Sequence, residues 1–165
     1  RDGTAKIWDS KTGQEVLTLV GHKHINSAVY SPDGKHIVTS SWDSTAKIWD
    51  SKTGQEVLTL VGHDIAIRSV CYSPDGKQII TTGSDKTAKI WDAETGQEIL
   101  TLTGYSNWVT SAVYSPSGKR IVTADADGII RLHTTEIEEL LLIARGRITR
   151  QLTAEERKKY DIPDY

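Results

Sequence analysis

The stretch TAKIWDSKTGQEVLTLVGH occurs twice without a change, at Thr4–His22 and Thr45–His63, and a third time as TAKIWDAETGQEILTLTGY at Thr87–Tyr105. The copies lie 41 and then 42 residues apart. A second block interleaves at the same period: YSPDGK at Tyr30–Lys35 and Tyr72–Lys77, and YSPSGK at Tyr114–Lys119. From each of these tyrosines to the matching Trp49, Trp91 or His133 is 19 residues, and from Trp8, Trp49 or Trp91 to the next His22, His63 or Tyr105 is 14. Only the step from His22 to Tyr30 differs, at 8 residues against 9 for His63 to Tyr72 and Tyr105 to Tyr114. A period of this size means one supersecondary unit repeated, each copy burying its apolar surface against its neighbours.

Within a unit, short runs rich in Val, Ile, Thr, Trp and Tyr are separated by Asp-Gly, Thr-Gly and Gly-His punctuation at roughly ten-residue spacing, the pattern of successive antiparallel strands. Pro-Asp-Gly makes a tight hairpin turn and Lys-Thr-Gly the next reversal. The first full unit predicts strands at Ser27–Ser31, His36–Ser41, Thr45–Asp50 and Glu56–Val61. The next repeats them, and the last predicts three, at Ser111–Ser115, Arg120–Ala124 and Ile129–Thr134. Four short strands in about 40–45 residues describe a propeller blade, whereas a solenoid repeat of that length would carry helical periodicity.

The Gly-His and Trp-Asp pairs at this spacing resemble the WD-repeat (WD40) family over about residues 1–134. The fold class expected is therefore all-β, a partial WD40 propeller with two complete blades, half a blade before them and three strands of one after. The resemblance implies two hydrogen-bonded sets inside blades: His22, Thr39, Asp43 and Trp49, then His63, Thr81, Asp85 and Trp91. The chemistry agrees, because a buried carboxylate needs a donor such as imidazole and a buried indole N–H needs an acceptor. A His–Asp–Thr grouping also suggests a catalytic triad, but it recurs once per blade without an oxyanion-hole motif, so no catalytic residue is expected. The final repeat departs from the pattern. Tyr105 stands for the histidine, His133 for the tryptophan and Ser117 for the aspartate of Pro-Asp-Gly, while Thr123 and Asp127 remain, so its set is expected to be incomplete or differently arranged. In the leading half blade Asp2 and Trp8 remain, with their partners expected before Arg1.

Two connections vary among the copies, the loop after Gly-His and the turn between second and third strands. Antiparallel connections alternate ends, so both come out on one face, the top face. The binding candidates there are His24, Ile25, Trp42, Ile65, Arg68, Lys86, Asn107 and Trp108, with Lys23, Asp64 and Asp125 among the other variable positions. Exposed Trp and Arg are favoured interface anchors, which puts Trp42, Trp108 and Arg68 first.

Function follows from the same pattern: an interaction scaffold binding a protein or peptide through the top face, and not an enzyme. The alternative is the sensor module of a larger bacterial effector, with an NTPase, peptidase-like or kinase domain upstream. No phosphate loop, GxSxG elbow or zinc-spaced Cys/His set is present, and His22 with His24 lacks a third ligand, so no metal and no cofactor are expected. The 20 basic against 22 acidic residues argue against a nucleic-acid partner. No apolar run approaches the ~20 residues of a membrane span. The single cysteine, Cys71, suits a reducing, cytoplasmic setting. Because the chain begins at Arg1 in mid-repeat, it is expected to be a C-terminal piece whose open sheet edges promote self-association.

Residues 135–165 are expected as a helical tail. Ile137, Leu140, Leu141, Ala144 and Ile148 follow helical spacing over about 136–146, and Thr153 with Glu156 forms a capping box opening a second helix to about Tyr160. These helices would cover the end of the sheet or dock a partner. The segment ITRQLTAEERKKY is similar to the tail of large bacterial WD-repeat proteins.

Overall fold

The computed structural model describes residues 3–135, so both helices expected in the tail lie outside the described residues. The chain divides into a unit Arg1–Thr135 and a unit Glu136–Tyr165. The first holds thirteen strands in four antiparallel sheets, here blades 1 to 4. Blade 1 is β1 (Thr4–Trp8) and β2 (Glu15–Val20). Blade 2 is β3 (Ile25–Tyr30), β4 (His36–Ser41), β5 (Thr45–Asp50) and β6 (Glu56–Val61). Blade 3 is β7 (Ile67–Tyr72), β8 (Gln78–Gly83), β9 (Ala88–Asp92) and β10 (Glu98–Leu102), and blade 4 is β11 (Val109–Tyr114), β12 (Arg120–Asp125) and β13 (Ile130–Thr134). Each blade is a meander, strands pairing in chain order, and β7 packs between β3 and β11 so that the innermost strands sit together. This is a partial β-propeller.

The turns explain the meander. In Ser31-Pro-Asp-Gly, Gly34 takes φ 70°, and Asp33 Oδ1 accepts from the Ser31 hydroxyl at 2.7 Å and the Lys35 N–H at 3.0 Å. The same lock recurs at Ser73, Asp75 and Lys77. Proline presets the first turn angle and glycine accepts the left-handed one, so the chain reverses after five residues and β3 pairs with β4.

No blade has a core of its own. Alternate residues of each middle strand face opposite neighbours, so Ile37 and Trp49 pack on Leu19 of blade 1, while Val38, Ala46 and Ile48 pack on Ile67, Val70, Tyr72, Ile79 and Trp91 of blade 3. Ile80, Ala88 and Ile90 then meet Tyr105, Val109, Ala112 and Ile121 of blade 4. Among the described residues, three apolar layers between four sheets make up the core. Beyond the last layer Val113, Ile130 and Leu132 of blade 4 are exposed.

The innermost strands begin earlier than the alternation predicts. Register shifts between Ile25/Ser27, Ile67/Ser69 and Val109/Ser111 insert one extra residue, making Asn26, Arg68 and Thr110 bulge residues. Ile25 and Arg68 therefore belong to β3 and β7 rather than to loops. A bulge breaks the period-2 pattern without ending the pairing, which is why the sequence reads as loop there.

Two polar side chains enter the core unpartnered: the hydroxyls of Ser40 and Thr82, at the same position of β4 and β8, have no hydrogen bond. Blade 4 carries Ala124 there. Since a desolvated hydroxyl without a partner is unfavourable, Thr82→Val is expected to raise the unfolding free energy by about 1 kcal/mol. An equal or lower urea midpoint for the variant would contradict this.

Candidate functional site

In blade 2 the loop Gly21–His22 carries the imidazole down between β4 and β5. His22 Nδ1 lies 2.9 Å from Asp43 Oδ2 and its Nε2 lies 2.8 Å from Thr39 Oγ1, which also accepts from Trp49 Nε1 at 2.8 Å. Blade 3 repeats the set: His63 to Asp85 at 2.7 Å, His63 to Thr81 at 2.7 Å and Trp91 to Thr81 at 2.8 Å. The aspartates are aimed by their turn. Ser44 and Lys86 take left-handed φ of 70° and 64°, with Gly128 at 78° in the equivalent place, and this returns the carboxylate to the hydroxyl and N–H of Thr45 or Thr87.

Proton counting gives the direction of these bonds. Indole N–H only donates, a threonine hydroxyl has one proton, and Nδ1–H is what a carboxylate accepts. In blade 3 the chain therefore runs Trp91 to Thr81 to His63 to Asp85 with a neutral imidazole. Burial holds His63 below its ordinary pKa despite the Asp85 charge, in keeping with that neutrality. Burial also pushes the Asp43 and Asp85 carboxyls upward, but their hydrogen bonds outweigh it, those from Thr45 and Thr87 foremost, and leave both below the ordinary carboxylate range. Thr39 and Thr81 are fully buried and closed by an indole, so neither hydroxyl has the open side a nucleophile needs. Among the described residues no group of three or more His, Cys, Asp or Glu could hold a metal ion.

Blade 4 rewires the set. The Tyr105 hydroxyl lies 3.0 Å from Thr123 Oγ1 and 3.1 Å from His133 Nε2, and Thr123 Oγ1 lies 3.1 Å from the same nitrogen. A phenol takes the place of imidazole and an imidazole the place of indole, closing a triangle. Asp127 is left outside it, accepting from Ser106 and Asn107 at 2.8 Å each. Arg131 covers the tyrosine instead, its guanidinium 4.6 Å from the ring centroid and paired with Asp125 at 2.6 Å. Asp125, at the top-face end of β12, is buried in this pair and offers no open side chain there.

At the top face one backbone bond recurs in blades 2, 3 and 4: Trp42 N–H to His24 C=O at 3.0 Å, Ser84 to Ala66 at 2.9 Å and Ala126 to Trp108 at 2.9 Å. The side chains on this common frame differ. His24 and Trp42 meet edge to face at 5.5 Å in blade 2, blade 3 has the small pair Ala66 and Ser84, and blade 4 has Trp108. Trp42 and Trp108 are 51% and 46% exposed. Ile65, Lys86, Lys23 and Asp64 are also exposed, His24 and Ile25 are half-buried, and Asn107 is tied to Asp127. Bulge residues cross between blades. Asn26 Nδ2 donates to Ile67 C=O at 2.7 Å, and Arg68 donates to Ser84 at 2.7 Å while its guanidinium lies 4.4 Å from the Trp108 ring centroid. Arg68 is thus a half-buried strut rather than a free anchor. Sequence reading missed Asn26 and Ser84, for which the changed loop length after His22 was the only signal.

A comparison with curated proteins found no match. The family model described as "WD domain, G-beta repeat" matches three times, at residues 13–50, 54–92 and 96–134. Each match runs from a Thr-Gly turn through the outer strand of one blade to the third strand of the next, and domains of this type mediate protein–protein interaction. The three matches, the blade meander and the repeated Trp–Thr–His–Asp sets agree: this chain belongs to the WD-repeat family.

Proposed function

We propose that the chain is a recognition module that binds a protein or peptide through its top face, with Trp42 and Trp108 as the anchoring side chains. What carries this reading is the contrast between a constant backbone frame and the changing side chains mounted on it. The recurrent bond into His24, Ala66 and Trp108 fixes the frame, and the outward groups go from an imidazole–indole pair to two small residues to a second indole. Two half-exposed indoles suit burial by a partner side chain, and Trp dominates interface energetics because it buries a large area at little entropic cost. Arg68 stiffens one wall by stacking on Trp108.

The test is selection from a displayed random-peptide library against the 165-residue chain, followed by titration of the enriched peptides. Joint replacement Trp42→Ala and Trp108→Ala is expected to weaken them at least about thirtyfold, the effect of losing one strong anchor. Selected peptides that bind the double variant as tightly as the parent would refute the assignment.

A further inference from the structure

On the opposite, bottom face, a cleft of about 570 Å³ opens between blades 2 and 3. Both blades are complete four-stranded sheets. The lining contains the carboxylates of Asp33, Asp75, Asp92 and Glu94 against one lysine, Lys77, with Lys35 Nζ 3.4 Å from Asp33 Oδ2. The three aspartates spend Oδ1 on their own turns, and Oδ2 of Asp75 and Asp92 has no hydrogen-bond partner among the described residues. Those turn bonds hold all three carboxyls below the ordinary range, Asp33 at about 2, so they are charged at neutral pH.

Three single-residue departures from the repeat converge on this cleft. At the next junction Tyr114 donates its hydroxyl to Gln78 at 3.3 Å, but the counterpart of Gln78 here is His36. Tyr72, only 8% exposed and lining the cleft, consequently has a hydroxyl with no partner among the described residues. Second, Ser51 and Thr135 each donate to the glycine carbonyl of their own blade's turn, Gly34 at 2.7 Å and Gly118 at 3.0 Å. Blade 3 has Ala93 in that place, so Gly76 loses its hydroxyl donor where it borders the cleft. Third, Lys11 and Lys52 of the first two Lys-Thr-Gly turns become Glu94 in the third, a reversal of charge at the rim. Together they remove one internal acceptor, one internal donor and a cation, leaving a concave surface that presents a free phenol hydroxyl, a glycine carbonyl and negative charge.

We propose that this bottom cleft receives the cationic side chain of an arginine or lysine from a protein partner. Its ammonium or guanidinium donates to the free carboxylate oxygens and the Tyr72 hydroxyl, and its aliphatic stem lies along Pro32 and Ala93. Arginine fits best, since its planar fork can engage two carboxylates at once. Burial, with the nearby Asp33 charge, pushes Tyr72 up to about 12, so its hydroxyl stays neutral and able to accept across the working range.

The experiment is fluorescence anisotropy of the full chain with a fluorescein-labelled Gly-Arg-Gly-Arg-Gly peptide, beside the same peptide carrying citrulline, an uncharged isostere, in place of arginine. Saturable binding of the arginine peptide alone is expected. Glu94→Lys installs the residue already carried by the other Lys-Thr-Gly turns, so the turn tolerates it, and it is expected to weaken binding at least about tenfold. Tyr72→Phe is expected to weaken it about fivefold. Equal binding of the citrulline peptide, unchanged affinity in Glu94→Lys, or no saturation at millimolar chain would each overturn the proposal. Because the top-face indoles take no part, the outcome is independent of the peptide selection described above.

Discussion

Alanine in place of Trp91 is expected to lower the unfolding free energy by about 4 kcal/mol. Two losses combine. Trp91 is almost fully buried in the layer between blades 2 and 3, and its ring edge fits so closely over Gly62 that a Cβ there would come within 2.9 Å of it. Removing the ring opens a cavity that two sheets cannot close without sliding, and it takes from Thr81 the indole N–H that its oxygen accepts. Urea denaturation followed by far-ultraviolet circular dichroism checks this, and a drop below about 2 kcal/mol would show that the layer collapses to fill the space.

Thr81→Val is expected to lower stability by about 3 kcal/mol although it removes no volume. The hydroxyl is the middle of the chain from indole to imidazole, so valine strands both Trp91 Nε1 and His63 Nε2 in a site without water access, and each unsatisfied group costs about 1–3 kcal/mol. The two predictions are coupled. In a Trp91→Phe background valine strands only the imidazole, so the double-mutant cycle should return an interaction energy of about 1–2 kcal/mol. Additive effects would mean that threonine, tryptophan and histidine act separately. At Thr123 of blade 4, where a triangle shares its protons three ways, the same substitution should cost less.

The fold was legible because its signals are local and redundant. The exact recurrence of TAKIWD and YSPDGK fixes where third strands and first turns fall, so β4, β5 and β6 have the bounds the repeat predicts. The starts of β3, β7 and β11 were not legible, since a bulge adds a residue that belongs to neither face. Asp43 and Asp85 could be paired with His22 and His63 through the family resemblance, and an aspartate on a tight turn six residues before the tryptophan suits that pairing. In blade 4 the residue types announced a changed set but not its wiring. Asp127 has the right spacing, but a phenol offers it no Nδ1 proton, and Arg131 with Asp125 takes over the support of the ring. The bottom cleft escaped notice for the opposite reason. Its turns are nearly constant, which reads as structural, and His36, Ala93 and Glu94 are far apart in sequence until the meander brings the turn ends together.

The layers between blades set how such a chain can lengthen or shorten. Every apolar layer is shared by two sheets, and each full blade supplies the right half of one layer and the left half of the next. Duplicating one unit in the gene therefore inserts one new layer whose two halves already fit, and disturbs none that existed. Insertion of half a unit would instead bring two like faces together and flip the alternation behind it. Size in this architecture is quantised, and the identity of Thr4–His22 and Thr45–His63 is the trace such a quantum step would leave.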